Sequence, residues 1–575
     1  MTKKERLFWL SVTFAFLSVA LIIFKSTIDQ YENKYYDAFL MNIIFVALVI
    51  AAISFLTMAS LTLDTYRKSL FLLLIISFFS VAIRIIPNLR LSSPPFNDSY
   101  TYIIGSQHIT QYGTLTPQLS DWFPSVEYYL KWPILNLISS FIEQIAGFSN
   151  LMNLEFLAPL LSIIMIFSVF ILAKQVTNSL NISALSALIA ACVDATIFYQ
   201  SEYHPQGLAV SFFFLAVAFT LKSVRNQKSS LIFISAILIL ILVLVHHFSA
   251  IFVALLGGIM LIAISLERLF AEPSEKKQIS GENPDHRRKL STILSSRWLM
   301  FILFGASYMM IIGFSAFETF LGKLVQSSST TALLTIGSGV PLITSILSSY
   351  KWGLLIIALP ALYYSIRSRK SMMIQVSFLT IAVLISIGVA SFAIGGPADR
   401  LIAFAFPLIG IFSSMTIFLI IKQSKKSYSI WRRSIGIIAT TFVILLCAMS
   451  VFNTAIPSLF FDGSGTDTHY YFSNDLTTIS RYESMGTWVT EHIDNQTTLS
   501  VEFDTAMIAF YFSHHATDRT NYLNNPNSRW IGIVMINPSI PYTRAGVQVD
   551  NREIIESSGT SKLFDDGVLN LFIVE

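Results

Sequence analysis

The chain is 575 residues long, 54% hydrophobic and only 13% charged, and Phe alone occurs 47 times. Soluble domains carry about 25% charged residues, and the mean hydropathy here is +0.64. These values exclude a disordered chain and a soluble enzyme and point to a polytopic membrane protein. Its two cysteines, Cys192 and Cys447, both sit inside apolar runs, which argues against a disulfide framework or a Cys-based zinc site.

A stretch of roughly 20 apolar residues is long enough to cross a bilayer core. About thirteen such stretches follow one another, near 7–24, 39–61, 69–87, 154–173, 181–200, 206–221, 230–246, 248–266, 297–315, 352–366, 372–394, 400–421 and 434–453. The apolar run 332–347 is short and holds Gly337, Gly339 and Pro341, so it reads as a re-entrant or interfacial piece. The first stretch is followed by Lys25-Ser26-Thr27 rather than a small-residue cleavage motif, so a cleaved signal peptide is not expected.

Lys and Arg set the expected orientation. With Lys3, Lys4 and Arg6 in the cytoplasm and strict alternation, inner segments hold about 24 Lys+Arg and outer loops before residue 453 about 8. The segment 267–296, with Arg297, carries seven of them. The tail 454–575 then falls outside; it holds 15 Asp+Glu against 6 Lys+Arg. Within it Thr477–Ile493 has helical spacing, while 498–503, 530–536 and 569–574 read as strands. Asp565-Asp566-Gly567 is a hairpin signal. The tail reads as a small α/β domain with no nucleotide or metal motif, though Asn495-Gln496-Thr497 is a sequon.

Four places carry candidate chemistry. The loop 88–153 contains Asn97-Asp98-Ser99-Tyr100-Thr101-Tyr102 soon after the third span, and later Tyr128-Tyr129-Leu130-Lys131-Trp132-Pro133. A carboxylate at the water–lipid boundary stays ionised and can reach a substrate held in the membrane; Asp98 equally suits an N-cap for a helix starting at Ser99. The second place is Asp194 with the turn Gln200-Ser201-Glu202-Tyr203-His204-Pro205-Gln206. A carboxylate in hydrocarbon costs about 2.5–3.5 kcal/mol, so Asp194 should face a cavity or a partner; the turn itself suits plain solvation as well.

The third place is His246-His247 at the end of the seventh span. Neighbouring helical residues point about 100° apart, so the two cannot ligate one metal from a single helix face; polar plugs at a helix junction are the other reading. His514-His515 in the tail reads as surface. The fourth is Gly395-Gly396-Pro397-Ala398-Asp399-Arg400, whose guanidinium beside the membrane suits a lipid phosphate. Pairing with Asp399 or snorkelling would also explain it. Arg84 is a second candidate for the same face.

In order and in shared side of the membrane, these places resemble the GT-C fold of integral-membrane glycosyltransferases. The narrower likeness is to the protein-mannosyltransferases and their RgtA-like relatives, over roughly residues 69–453. The resemblance implies a polytopic α-helical membrane protein of about 13 transmembrane helices with a small C-terminal α/β extracytoplasmic domain. Residues 1–68 would add two extra N-terminal helices, 69–453 would form the transferase core around the loop 88–153, and 454–575 the outer domain. It further implies transfer of a sugar from a polyprenyl-phosphate donor to a glycan, lipid or protein acceptor on the outer face of a cell membrane. Asp98 would be the general base, and Arg400, with Arg84, would hold the leaving phosphate. Glu202, His204, Tyr128 and Lys131 would bind substrate, and His246 and His247 would bind the sugar or a divalent metal ion, the one cofactor candidate. No nucleic-acid partner is expected.

The sequence departs from the family in its two preceding spans and in a lone Asp98 where oligosaccharyltransferases have a paired Asp-x-Asp, which favours a monosaccharide. Two other classes compete. A secondary transporter or lipid flippase would line a central path with charges, and a non-catalytic assembly protein would act through its acidic tail.

Overall fold

The computed structural model describes residues 2–32, 38–89, 97–115, 132–147, 150–201, 203–226, 228–246, 350–367, 371–393, 398–426, 430–455 and 476–493, with seven short strands between 499 and 574. The expected spans 248–266 and 297–315, and the run 332–347, lie outside these residues. The chain divides into two compact units: 1–87 with 156–201 and 205–471, and 88–155 with 202–204 and 472–575.

In the first unit the helices are α1 (Lys3–Glu32), α2 (Ala38–Leu61), α3 (Tyr66–Leu89), α6 (Asn150–Thr177), α7 (Leu180–Ala191), α8 (Asp194–Ser201), α9 (Pro205–Asn226) and α10 (Ser229–Val245). They continue as α11 (Tyr350–Arg367), α12 (Ser371–Ala393), α13 (Ala398–Lys426) and α14 (Ile430–Ala455). Between α3 and α6 the chain passes through α4 (Asn97–Tyr112) and α5 (Ile134–Ala146) of the second unit.

Among the described residues seven helices are long and apolar enough to cross a membrane, on α1, α2, α3, α6, α9, α13 and α14; the α7–α8 pair makes up to eight. The expected spans at 230–246, 352–366 and 372–394 are helices too, with shorter apolar segments described. Each of these helices is apolar nearly all round, so periodicity gives no polar face to turn towards water. The faces that are not packed show the same chemistry. Phe14, Phe16 and Leu17 of α1 and Ile437, Ile438 and Phe442 of α14 are exposed. In water such a surface would aggregate; against lipid tails it costs nothing. The chain is a multi-pass helical membrane protein. Helix α13 lies inside the bundle, packed on α7, α8, α11, α12 and α14, with Phe404, Leu408 and Phe412 fully buried.

The expected single span 181–200 is instead two helices, α7 and α8, meeting at 60°. No Gly or Pro stands at the joint, which reads Ala191-Cys192-Val193-Asp194. What sustains the break is satisfaction of the carbonyls it frees. Arg84 Nη1 donates to Ala191 O at 3.0 Å. Thr196 Oγ1 donates to Val193 O at 2.7 Å and to Ala190 O at 3.2 Å. Ser450 Oγ of α14 donates to the carbonyl of Cys192. Helix α7 starts as its sequence dictates, with extended Ser179 as N-cap accepting from Ile182 N.

Helix α9 follows α8 so closely that Gly207 is obligatory: a Cβ there would overlap the carbonyl oxygen of Tyr199. That atom is backbone and cannot swing aside. Gly207→Ala is therefore expected to destabilise by about 1–3 kcal/mol, the range for overpacking, read as an earlier melting of the purified protein in detergent.

The second unit combines α4 and α5, which pack on each other, with Tyr203 and His204, helix α15 (Leu476–His492) and a five-stranded sheet. The strands are β1 (Leu499–Val501), β2 (Thr517–Asp518), β3 (Gly532–Ile536), β4 (Tyr542–Arg544), β5 (Val547–Val549), β6 (Ser561–Asp565) and β7 (Asn570–Val574). The order is β2-β1-β3-β7-β6, with β1 parallel to β2 and β3, and β7 antiparallel to β3 and β6. Strands β4 and β5 form a separate hairpin. Asp565 pairs with Asn570 across the β6–β7 connection, which begins at the anticipated turn sequence. Met485 and Val489 of α15, one turn apart, are both fully buried.

Candidate functional site

Helix α4 begins at Asn97, so Asp98 lies in its first turn rather than capping a helix from Ser99. A carboxylate in a first helical turn is favoured by the helix dipole. One turn on, Tyr102 is buried, and its ring meets His204 edge-on, centroids 5.3 Å apart at 80°. His204 is itself buried. The helix that carries Asp98 and the expected substrate residue His204 are thus brought together within the second unit.

The α4–α5 interface is polar along one stripe. Ser106 Oγ donates to Tyr102 O at 2.8 Å and reaches Asn136 Oδ1 at 3.4 Å. Thr110 Oγ1 lies 2.9 Å from Ser140 Oγ and donates to Glu143 Oε2 at 2.7 Å. The spacing Ser106/Thr110 against Asn136/Ser140 is i, i+4 on both helices and could have been read from the sequence.

Tyr203, within the anticipated turn but given no role from the sequence, enters this stripe. Its hydroxyl donates to Leu135 O at 3.4 Å and interacts with the hydroxyls of Ser139 and Ser106. Burial pushes the phenol up to about 12; the two serines oppose that shift and the Glu143 charge adds to it. A raised folded-state value means that the unfolded chain ionises first. The stability contribution is whole below about pH 10 and is lost as pH rises through about 12, on the order of 2 kcal/mol. Tyr203→Phe should flatten the fall in melting temperature between those limits. An unchanged slope would remove Tyr203 as its cause.

Plain solvation, the alternative reading of the turn 200–206, does not hold for its described residues. Gln200 and Ser201 belong to α8, and Gln200, Ser201, Tyr203, His204 and Gln206 are all buried. Gln200 is a relay: it accepts from Arg84 Nε at 2.8 Å and donates through Nε2 to Ser211 Oγ at 2.9 Å. Arg84 is wholly buried. Besides Gln200 and Ala191 it donates to Ser80 Oγ at 2.8 Å, Ser80 O at 3.1 Å and Thr196 Oγ1 at 3.1 Å. The fork expected to meet a lipid phosphate is occupied by neutral oxygens of the chain itself. The arrangement still has an electrostatic logic: the cation sits at the C-terminal, negative end of α7, and Asp194 occupies the positive first turn of α8. Asp194 is fully buried, and its Oδ1 accepts from Ala195 N at 2.6 Å.

Arg400 lies in the first turn of α13. His246 is buried in extended backbone just past α10. Glu202, Tyr128, Lys131 and His247 lie outside the described residues. Among the described residues no three of His, Cys, Asp or Glu converge on a metal-sized site.

The architecture defines a polytopic helical membrane protein. It is similar to the crystal structure of ArnT from Cupriavidus metallidurans bound to undecaprenyl phosphate, with a TM-score of 0.50 and 10% sequence identity over 88% of this chain and 97% of that one. The apo structure of the same protein aligns over the same shares at 10% identity, with a TM-score of 0.49. No protein-family model and no curated protein sequence matches the chain.

Proposed function

We propose that this protein is a glycosyltransferase that moves a sugar from a polyprenyl-phosphate donor to an acceptor at the outer face of the membrane. The observation that carries the reading is the fold likeness, which takes in nearly the whole of a protein crystallised with undecaprenyl phosphate. The placement of Asp98 in the first turn of α4, the helix that follows the α3 span, supports it. In this reading Asp98 takes the proton from an acceptor hydroxyl as that oxygen attacks the anomeric carbon. The bond from that carbon to the lipid-phosphate oxygen breaks, and Arg400 stabilises the charge that grows on the leaving phosphate. His204 and Glu202 hold the sugar, with Tyr128 and Lys131. His246 and His247 are the residues for a divalent ion if the reaction uses one. Arg84 acts through the helix break it ties down.

Sugar transfer from a radiolabelled polyprenyl-phosphate sugar by the purified chain tests the reading. Arg400→Ala should lose most of that activity and Arg400→Lys less, because Lys keeps the charge without the planar fork. Wild-type kinetics in both variants would remove Arg400 from the site. Absence of transfer with every donor sugar, from well-folded protein, would sink the function.

A further inference from the structure

Helices α1 and α3 begin at the same end of the bundle, and their first turns are tied together there. Lys68 Nζ lies 2.9 Å from Asp64 Oδ1 and 3.4 Å from Glu5 Oε1, and 5.7 Å from the centre of the Phe8 ring. Lys4 Nζ donates to Leu63 O at 3.4 Å. Residues 2–6 and 64–68 hold five cations against two carboxylates. The surplus includes Arg6 and Arg67, both exposed; among the described residues neither guanidinium has a hydrogen bond or an ion pair. Cations in the positive first turn of a helix cost stability unless an anion answers them.

The rings one turn further on fix the side of the seam to which these two residues belong. Trp9 and Phe71 meet across it, centroids 5.5 Å apart. Residues three or four apart share a helix face, so Arg6 lies on the face of Trp9 and Arg67 on that of Phe71. Both flank the side of the seam where Trp9 and Phe71 are exposed, while Phe8 is buried. Beyond each Arg the face is apolar and unpacked: Leu10, Leu17 and Leu21 follow on α1, and Leu70, Leu74 and Phe78 on α3, all exposed. Exposed Trp9 and Tyr66 mark the headgroup level, where amphipathic rings collect.

We propose that the α1–α3 seam binds an anionic diacyl phospholipid, its phosphate between Arg6 and Arg67 and its acyl chains along the two apolar rows. A guanidinium fork meets phosphate oxygens with paired hydrogen bonds, and basic pockets beside membrane helices hold anionic headgroups. A zwitterionic lipid offers the same phosphate but brings an ammonium into a surplus of positive charge, so the seam discriminates against it. The site sits at the opposite end of α3 from Arg84 and is independent of any sugar transfer.

The test uses the full-length protein in phosphatidylcholine bilayers holding increasing fractions of phosphatidylglycerol brominated on its acyl chains, which quenches tryptophan on contact. The Trp9 signal is the difference between wild type and Trp9→Phe. Brominated phosphatidylglycerol should quench it at a much lower mole fraction than brominated phosphatidylcholine does. Arg6→Gln combined with Arg67→Gln should lower the relative affinity for the anionic lipid by about 30-fold, the worth of two cations facing such a headgroup, with melting unchanged. If the double variant does not fold, the wild-type comparison of the two lipids decides by itself. Equal quenching by both lipids in the wild type would overturn the proposal, as would a preference that survives the double variant. Displacement by inorganic phosphate beyond that by chloride at equal ionic strength would assign the seam to a soluble anion and overturn it too.

Discussion

On the proposed function, Asp98→Asn is expected to lower sugar transfer from a polyprenyl-phosphate donor by about 10²–10⁴-fold, the usual worth of a general base, while insertion and melting stay near wild type. The amide keeps the shape of the side chain and loses its capacity to take a proton. The position separates the two roles open to it. Asp98 lies in the first turn of α4, where a negative charge adds about 0.3–1 kcal/mol through the helix dipole. If that were its whole role, Asn would cost a fraction of the stability of one short helix and leave turnover unchanged. Rates measured at saturating donor, with expression and melting temperature matched, give opposite answers for the two roles. Near-normal turnover would remove Asp98 from the chemistry.

Arg84→Ala should destabilise the first unit by about 2–5 kcal/mol, because the truncation orphans several buried acceptors together. Ala191 O and Gln200 Oε1 lose a charged donor, and the joint between α7 and α8 loses one of its ties. The lower half of that range is the more apt for a membrane interior, where the unfolded reference also finds partners. Arg84→Lys keeps the charge but supplies one ammonium for acceptors spread over α3, α7 and α8, so it should rescue only part. Thermal melting followed by tryptophan fluorescence gives the measurement. A donor-phosphate ligand would behave differently: transfer would fall in Arg84→Ala with melting unchanged, and that result would return Arg84 to the role first expected of it.

What the sequence determined by itself is local. The length of an apolar run depends only on neighbouring residues, so the spans on α1, α2, α3, α6, α9, α13 and α14 were legible. So were the helix near 476–492 and the strands near 499, 532 and 570, from their spacing.

Tertiary structure decided what depends on distant partners. The joint at Cys192–Val193 carries no breaker residue, and its 60° bend rests on side chains from α3, α8 and α14. Nothing in the local sequence reports those donors. Arg84 was read from the sequence as a second cation for a lipid phosphate, beside Arg400. Its acceptors at 191, 196 and 200 become visible only when α3 packs against the bent pair. Tyr203, placed in a polar turn, could be read as solvated until the fold buried it in the α4–α5 stripe. The apolar pattern of a membrane helix states that a segment is inserted, but being nearly uniform around the axis it does not encode which face meets which neighbour. In this chain that choice is made by scattered polar side chains, each of which must find a partner wherever water cannot serve.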